Sequence, residues 1–328
     1  MTDPLPVPVA PGPRGGPSGP RAPGARSTGA VLVGLAVALF SLNAGTSAVV
    51  LGAGVTPEAL AAVRALGTAA VLGAALLATG RIGTLAVPRR QWPWILLYGA
   101  GGVALVQWAY FVAIDRLPIG LALLLEYLAP LVIALVARFW LRRAVSRLVW
   151  PALALALGGL ALATRVPGGG LDPVGVAAGL VAASAFAVYF LVGERLVTER
   201  DALSTTFWGF AVAAVVSVVL AAPALPDAVR VSAERAVLPP ALGGAAVPVW
   251  MLLGVVVLLG TLAPFAAVTA ALRRLPATLV SIIGTGEVVG AAAVAWWWFG
   301  QTLSAVQAAG FALVVSGVVL ALLARGDR

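Results

Sequence analysis

Residues 116–132 read RLPIGLALLLEYLAPLV, and residues 274–290 read RLPATLVSIIGTGEVVG. Each stretch opens on Arg-Leu-Pro and continues as an apolar run that holds one acidic residue. The two stretches lie 158 residues apart, and at that spacing Pro130 falls opposite Val288. The chain therefore contains an internal repeat, and each copy includes a glutamate within an apolar segment.

The composition around these stretches is that of a protein surrounded by lipid. Hydrophobic residues make up 61% of the chain, charged residues 10%, and the mean hydropathy is +1.05. Soluble domains are about 45–50% apolar and about 25% charged. Cysteine and histidine are both absent, which excludes disulfides, Cys or His metal sites and nucleophiles activated by histidine. We therefore expect no enzyme, no metal site and no cofactor.

Hydrophobicity and the repeat together predict the fold class: an all-α integral membrane protein with ten transmembrane helices in two inverted five-helix repeats. A spanning helix needs about 20 mostly apolar residues. The predicted spans are 29–51, 58–79, 92–114, 117–138, 148–164, 173–193, 203–222, 247–271, 277–299 and 304–324. Five is an odd number, so the second copy must enter the membrane upside down. Inverted repeats are typical of secondary transporters.

Three segments follow from this division. Residues 1–26, rich in Pro, Gly and Ala, are predicted to be a disordered cytoplasmic tail. Residues 27–168 form the first repeat, and residues 169–328 form the second. Every basic residue is arginine, and the segments predicted outside carry only Arg116, Arg165, Arg230 and Arg235. Because cytoplasmic loops are rich in basic residues, both termini are predicted to be cytoplasmic, and membrane topology explains the positive net charge better than nucleic-acid binding does.

Charged residues within apolar spans are the first candidates for function, because each costs about 2.5–3.5 kcal/mol at a helix centre. They are Arg64, Glu126 and Glu287. At 1.5 Å per residue, Glu126 lies about 12 Å beyond Pro118 and Glu287 about 16 Å beyond Pro276. Both carboxyl groups should approach the membrane centre, from opposite sides. They would bind a substrate amine or a proton; the alternative is a neutral group hydrogen-bonded between helices.

Other polar and aromatic residues within the spans complete the candidate site. Together they would line a cavity for a small polar organic ligand, although each could equally serve helix packing. These candidates are Asn43, Gln107, Tyr110, Tyr127, Tyr189 and Trp208. For Arg64 the open alternatives are a substrate carboxylate, a glutamate partner, or a side chain that reaches outward to lipid headgroups. Gly310 and Gly317, seven residues apart, predict a close helix crossing.

The end of the second repeat resembles a known family. The closing residues Phe299-Gly300-Gln301-Thr302-Leu303, Gln307, Gly310 and Ser316-Gly317-Val318 resemble the end of an EamA-type repeat of the drug/metabolite transporter superfamily. Glu287-Val288 stands where that family often has Glu-Pro, and Arg64 stands where its second helix commonly carries arginine. Within the superfamily, the run from Leu117 to Leu131 is similar to the bacterial threonine/homoserine exporters.

This resemblance implies a multi-pass transporter of the bacterial inner (plasma) membrane that exports amino acids or related small metabolites, coupled to protons, by alternating access. The expected partners are a small-molecule substrate, membrane lipid and protons, with no nucleic acid; monomer and homodimer both stay open. The alternative is an importer or flippase of another small metabolite, such as a vitamin, a nucleoside or a lipid-linked sugar. Gln301, Arg142-Arg143 and Val288 depart from the family pattern, so gating and coupling could differ from those of relatives.

Overall fold

The computed structural model describes residues 23–140, 147–163, 170–272, 274 and 283–326, and almost all of them are helical. Helices α3 and α8 each contain a π-helical turn, and α4 is interrupted after its first eight residues. The helices are α1 (Pro23–Gly52), α2 (Pro57–Ala78), α3 (Trp92–Leu96, Leu97–Ala104 and Leu105–Arg116), α4 (Ile119–Glu126, then Ala129–Leu135 and Val136–Trp140), α5 (Val149–Ala163), α6 (Pro173–Glu199), α7 (Ala202–Ala221), α8 (Val249–Val257, Leu258–Leu262 and Ala263–Leu272), α9 (Gly286–Phe299) and α10 (Ala305–Gly326).

Within the described residues, six helical stretches are long and apolar enough to cross a membrane. They are Ser27–Gly52, Pro57–Ala78, Arg89–Arg116, Pro173–Gly193, Ala202–Ala221 and Val249–Val268. Shorter apolar helices cover Ile119–Ile133, Val149–Ala163 and Ala305–Leu320. Each helix from α1 to α10 overlaps one predicted span, so the prediction of an all-helical chain with several membrane-spanning segments is confirmed. Helix α1 begins at Pro23, inside the segment predicted to be a tail; residues 1–22 lie outside the described residues.

The segment between α7 and α8 is the main non-membrane structure. It contains a short helix, Leu225–Ser232, followed by two strands, β1 (Arg235–Val237) and β2 (Ala246–Pro248). The strands pair antiparallel, with Ala236 opposite Val247. Gly243 and Gly244, both with positive φ, form the turn between them. The sequence predicts only a connection between the spans 203–222 and 247–271 here.

Side-chain oxygens at the helix starts satisfy backbone N–H groups that have no partner within the helix. Thr56 accepts from Ala59 N before α2, and Asp201 accepts from Ser204 N before α7. Asp172 accepts from Val174 N and Gly175 N before α6, and also binds Arg116. The hydrogen bond from Gly175 and the Arg116 side chain hold the pKa of Asp172 below its ordinary value.

Contacts between the first five helices and the last five follow an exchange rule. Helix α2 packs against α7, α5 against α10, and α4 against α9. Helix α1 packs against α8 and α9, while α6 packs against α3 and α4. If each helix is replaced by the helix five places away in the chain, so that α1 becomes α6 and α8 becomes α3, every contact in this set becomes another contact of the same set. The exchanged helices α3 and α8 each contain a π-helical turn, and the exchanged helices α4 and α9 each follow an interruption, before Ala129 and before Gly286. A further π-helical turn, Val136–Trp140 in α4, has no counterpart in the described part of α9.

Helices α5 and α10 meet through their backbones. A Cβ on Gly159 would lie 2.6 Å from Gly310 O, and a Cβ on Gly317 would lie 2.6 Å from Ala152 O. Glycine has no side chain, so it lets two helices approach this closely and increases the van der Waals contact between them. In lipid, such packing drives helix association in place of the hydrophobic effect. The predicted close crossing at Gly310 and Gly317 is confirmed.

A hydrogen-bonded group that we call the arginine clamp joins the segment before α3 to the start of α7. Arg200 donates to Thr84 O at 3.0 Å, Ala86 O at 2.9 Å, Gln91 Oε1 at 3.1 Å and Ser204 Oγ at 2.9 Å. Beside it, Arg81 pairs with Asp201 at 2.6 Å, and Gln91 Nε2 donates to Glu199 Oε2 at 2.9 Å. The clamp therefore ties the first half of the chain to the second at one end of the helices.

Replacing Arg200 with alanine should lower the free energy of unfolding by about 2–3 kcal/mol, because two backbone carbonyls lose charge-assisted hydrogen bonds. Thermal unfolding in detergent measures the change. Arg89→Ala is the control, since Arg89 is exposed and forms no side-chain hydrogen bond or ion pair within the described residues. Equal stability of the two variants would contradict a structural role for the clamp.

Candidate functional site

The interruption of α4 places Tyr127 at the middle of that helix. Pro130 has no N–H, so the carbonyl of Glu126 receives no helical hydrogen bond from it. The chain turns at Tyr127 and Leu128, and Leu131 N bonds to Leu128 O at 2.9 Å as the helix resumes. The proline noted in the sequence is therefore the local cause of the break that follows Glu126.

A matching interruption lies before α9 and places Glu287 in the first turn of that helix. The break lies at Thr285, between Gly284 and Gly286. A Cβ added to Gly284 would meet no other atom within 4 Å. The hydroxyl of Tyr127 donates to Glu287 Oε2 at 2.7 Å and lies 3.2 Å from Gly284 O. One side chain thus joins the broken segments of α4 and α9.

Helix α1 packs beside the second of these breaks. Ser41 Oγ lies 3.4 Å from the carbonyl oxygen of Glu287, and a Cβ on Gly290 would collide with the Ser41 hydroxyl. One turn further on, Gly45 faces Trp298, whose ring would be 2.7 Å from an added Cβ. The position of α9, and with it Glu287, is therefore fixed on one side by α1.

Arg64 projects from α2 into the interior and is 9% exposed. Its Nε donates to Thr261 Oγ1 at 2.8 Å, and Thr261 in turn donates to Val256 O at 3.0 Å. The guanidinium carbon lies 5.7 Å from the centre of the Phe111 ring, within the range of a cation–π contact. Because its guanidinium is anchored inside the protein, the headgroup alternative for Arg64 is wrong.

Glu126 and Glu287 lie close enough to Arg64 for their charges to act on it, and Tyr110 belongs to the same electrostatic group. We call Arg64, Glu126 and Glu287 the central charge cluster. Glu126 is partly exposed at the end of the first segment of α4, and within the described residues it forms no hydrogen bond. The cluster therefore has two acidic groups and one basic group from α2, α4 and α9, and only Glu287 among its acids is held by a side chain.

Three other predicted residues lie around this cluster. Asn43 packs against Gly260, the neighbour of Thr261, and its buried Oδ1 has no hydrogen-bond partner within the described part of the chain. Gln107 lies one turn before Phe111 and donates to Val103 O at 3.1 Å, while its Oε1 is also buried and unpaired there. Tyr189 reaches Tyr127 through Phe186, with ring centres 5.8 Å and 6.4 Å apart along the series.

Trp208 lies elsewhere. Its Nε1 donates to Leu85 O at 3.0 Å, and its ring packs edge-on against Trp92 at 5.1 Å. These contacts place Trp208 beside the arginine clamp, so it serves packing at that end of the helices. A cavity of about 900 Å³ lies between the end of α1, strand β1 and the end of α9. None of the predicted site residues lines it.

Two further residues, Thr261 and Phe111, position the cluster. Thr261 is one of the polar residues within apolar spans that the sequence suggests as cavity lining, although it is not among the candidates named above, and nothing in the sequence marks Phe111 beyond its hydrophobicity. Phe111 is four residues from Gln107, so its face of α3 could have been found by helical spacing. The contact of Thr261 depends on a π-helical turn, which sequence periodicity does not reveal.

Replacing Tyr127 with phenylalanine should lower the free energy of unfolding by about 1 kcal/mol, the usual scale for a hydrogen bond between membrane helices. Tyr110→Phe is the control, because the Tyr110 hydroxyl forms no hydrogen bond within the described residues. Thermal unfolding of both variants in detergent tests this. Equal melting temperatures would mean that the bond to Glu287 contributes nothing to stability.

The sequence profile of the EamA-like transporter family matches residues 27–165 and 173–323. The chain is 30% identical over 219 residues to a protein of Salmonella typhimurium (strain SL1344) named threonine/homoserine exporter RhtA, and the match covers 65% of each chain. A protein of the same name from Escherichia coli (strain K12) is 29% identical over 233 residues, covering 69% of this chain and 68% of that one. A solved crystal structure, 24% identical in sequence, aligns with 92% of this chain and 99% of its own at a TM-score of 0.56.

Proposed function

This chain belongs to the EamA-like transporter family, and from that membership we propose that it exports amino acids or related small metabolites by proton-coupled alternating access. The family is one of membrane transporters and not of enzymes. The proposal has three parts, which concern the architecture, the coupling chemistry and the solute.

For the architecture, we propose ten membrane spans in two inverted repeats. The exchange rule among helix contacts supports this, because a two-fold axis in the membrane plane would interchange α1–α5 with α6–α10. The break at Tyr127 in α4 recurs 158 residues later at Thr285, the same spacing as that between Arg116 and Arg274. Equivalent irregularities at equivalent positions are expected of two copies of one unit.

For the chemistry, the observation that carries the proposal is the central charge cluster. Two carboxyl groups from α4 and α9 lie near one arginine from α2, and both acids follow or precede a helix break. Ionisable groups inside a membrane protein commonly mark a substrate or proton pathway. In the proposed cycle a carboxyl group releases its proton when the substrate amine binds and takes up a proton when the substrate leaves.

For the solute, the named relatives support an amino acid with a small polar side chain. The matched segment spans 65% of the length of the Salmonella exporter, so its activity supports but does not define the activity of this chain. We propose a place in the inner membrane of a bacterium, with both termini in the cytoplasm. The arginines in the segments 79–91 and 194–200, on the side of the clamp, support that orientation.

Purified protein in vesicles loaded with radiolabelled threonine tests the function. Export should accelerate when the outside is made acidic, because protons then enter as the amino acid leaves. Dissipating the pH gradient with an ionophore should remove the acceleration. Threonine movement that ignores the gradient would contradict the coupling. The protein could instead transport a nucleoside, a vitamin or a lipid-linked sugar and fail to move threonine, homoserine or other amino acids. That result would replace this proposal with an importer or flippase of another small metabolite.

A further inference from the structure

Within the part of the chain that the structure describes, Arg64 is anchored through only one of its three nitrogens. Its Nε donates to Thr261 Oγ1 at 2.8 Å, which uses the single N–H on the inner edge of the guanidinium plane. The Phe111 ring, 5.7 Å from the guanidinium carbon, packs against this group. Together these contacts hold the charged group in position.

The two terminal nitrogens carry the remaining four N–H groups. Within the described residues they form no hydrogen bond, and no carboxylate lies within 4.0 Å of them. Although Arg64 as a whole is only 9% exposed, neither terminal nitrogen is completely covered by other atoms. Both nitrogens therefore border open space in the interior of the protein. An interior cation whose donors point into such a space is suited to bind an anion there.

The geometry of this fork selects the kind of anion. Parallel N–H groups on a planar guanidinium match the two oxygens of a carboxylate. Approach along the Nε edge is blocked by the Thr261 hydroxyl, so a carboxylate must bind end-on, with one oxygen on each terminal nitrogen. In their ionised form, Glu126 and Glu287 repel a simple anion in this region and attract an amine. A zwitterion satisfies both signs of charge at once.

The anchor itself is held by packing. Thr261 lies in the π-helical turn Leu258–Leu262 of α8, and its hydroxyl donates to a carbonyl five residues earlier, that of Val256. The preceding residue, Gly260, packs against Asn43 of α1 so tightly that any Cβ would collide with the Asn43 amide oxygen. The turn is therefore confined between α1 and α2, and the Thr261 hydroxyl keeps one direction.

We propose that Thr261 is a positioning residue that fixes Arg64 as the end-on receptor of a substrate carboxylate, and so restricts the carrier to solutes that have a free carboxylate beside an amine. This proposal rests on the proposed function for its transport consequence, but the carboxylate site itself does not depend on the direction or coupling of transport. Its substrate class is the α-amino acids, and carboxamides or esters of the same amino acids should be rejected.

Two probes that differ only at the carboxylate test it: threonine and threoninamide. The variants are Thr261→Val, which removes the hydroxyl at nearly constant size, and Thr261→Ser, which keeps it. Thr46→Val is the matched control, because Thr46 is also buried but its hydroxyl bonds to Leu42 O within its own helix. Binding is followed by the thermal shift of purified protein, and transport by uptake into vesicles, with KM and kcat determined separately.

We expect the wild-type protein to bind threonine about tenfold or more tightly than threoninamide, which corresponds to about 1.4 kcal/mol. Thr261→Val should reduce that preference to about one by raising KM for threonine, with kcat and the affinity for threoninamide little changed. Thr261→Ser and Thr46→Val should keep the preference. A change of packing alone would affect both probes equally.

The outcomes separate this inference from the proposed function. Equal binding of the two probes by the wild-type protein, no shift with any free amino acid, or an unchanged preference in Thr261→Val would overturn the carboxylate site. Selective binding of threonine that is lost in Thr261→Val, without any transport of threonine, would retain the site and reject export. Transport of threonine and threoninamide at equal efficiency would retain export and reject the site.

Discussion

Glu126→Gln is expected to lower the initial rate of proton-driven export by about 100-fold, the lower range of what a positioned acid–base group contributes to a reaction that needs proton transfer. Glutamine keeps the shape of the side chain but binds and releases no proton. Glu126 forms no hydrogen bond within the described residues, so the substitution breaks no structural contact there. The variant should fold as well as the wild-type protein, because a neutral amide costs less than a carboxylate to bury.

The measurement is threonine efflux from vesicles with and without a pH gradient, beside the melting temperature of each variant. Glu58→Gln is the control; Glu58 accepts a hydrogen bond from Trp108 Nε1 at 2.9 Å near the start of α2 and lies outside the central charge cluster. The efflux rate of Glu58→Gln should stay within about twofold of the wild-type rate, since the substitution changes only the hydrogen bond with Trp108 near the start of α2. Normal, gradient-dependent efflux by Glu126→Gln would rule out the proposed role of this residue.

Gly159→Val is expected to prevent stable folding or to lower the free energy of unfolding by about 3 kcal/mol, the upper end of the usual cost of forcing added atoms into a well-packed interior. A Cβ at Gly159 would lie 2.6 Å from Gly310 O and 2.7 Å from Val314 N, both backbone atoms of α10. Backbone cannot rotate away as a side chain can, so α5 and α10 would have to separate along their length.

The adjacent residue supplies the control. Gly158 is exposed, and a Cβ there would meet nothing within 4 Å. Gly158→Val makes the same chemical change on the same helix, one residue away, and should leave the melting temperature within about 2 °C of the wild-type value because surface substitutions are nearly neutral. Expression level and thermal unfolding in detergent measure both variants. Similar behaviour of the two would mean that the helices do not meet as described.

The sequence predicts the helices well because their cause is local. Apolar length sets each spanning segment, and the observed bounds of α2, Pro57–Ala78, differ from the predicted 58–79 by one residue at each end. The grouping of Arg64, Glu126 and Glu287 also follows from simple arguments, since interior charges must meet polar partners. Tyr127 contacts the same group through its hydrogen bond to Glu287.

The remaining contacts depend on irregularities that a regular helix does not contain. The π-helical turn of α8 points Thr261 at Arg64, and no ideal 3.6-residue period places it there. Trp208 shows the opposite error: its aromatic ring in an apolar span resembled a cavity lining, yet its indole N–H binds Leu85 O. Depth along the helix would have separated it from the cluster, because it lies only six residues beyond Ala202, the first residue of α7, and so near the clamp.

The arginine clamp also bears on how the molecule divides its time between conformations. A carrier that opens at that end must separate the Thr84–Gln91 segment from Arg200, and thus give up several charge-assisted hydrogen bonds at once. If these contribute a net 2 kcal/mol, the open form is populated about 30-fold less than it would be without them. Solute arriving from that side would then bind with an apparent affinity reduced by the same factor. We therefore expect a transporter that rests with this end closed. Weakening the hydrogen bonds of Arg200 should raise the population of the form that is open at this end, before it changes any contact with the solute.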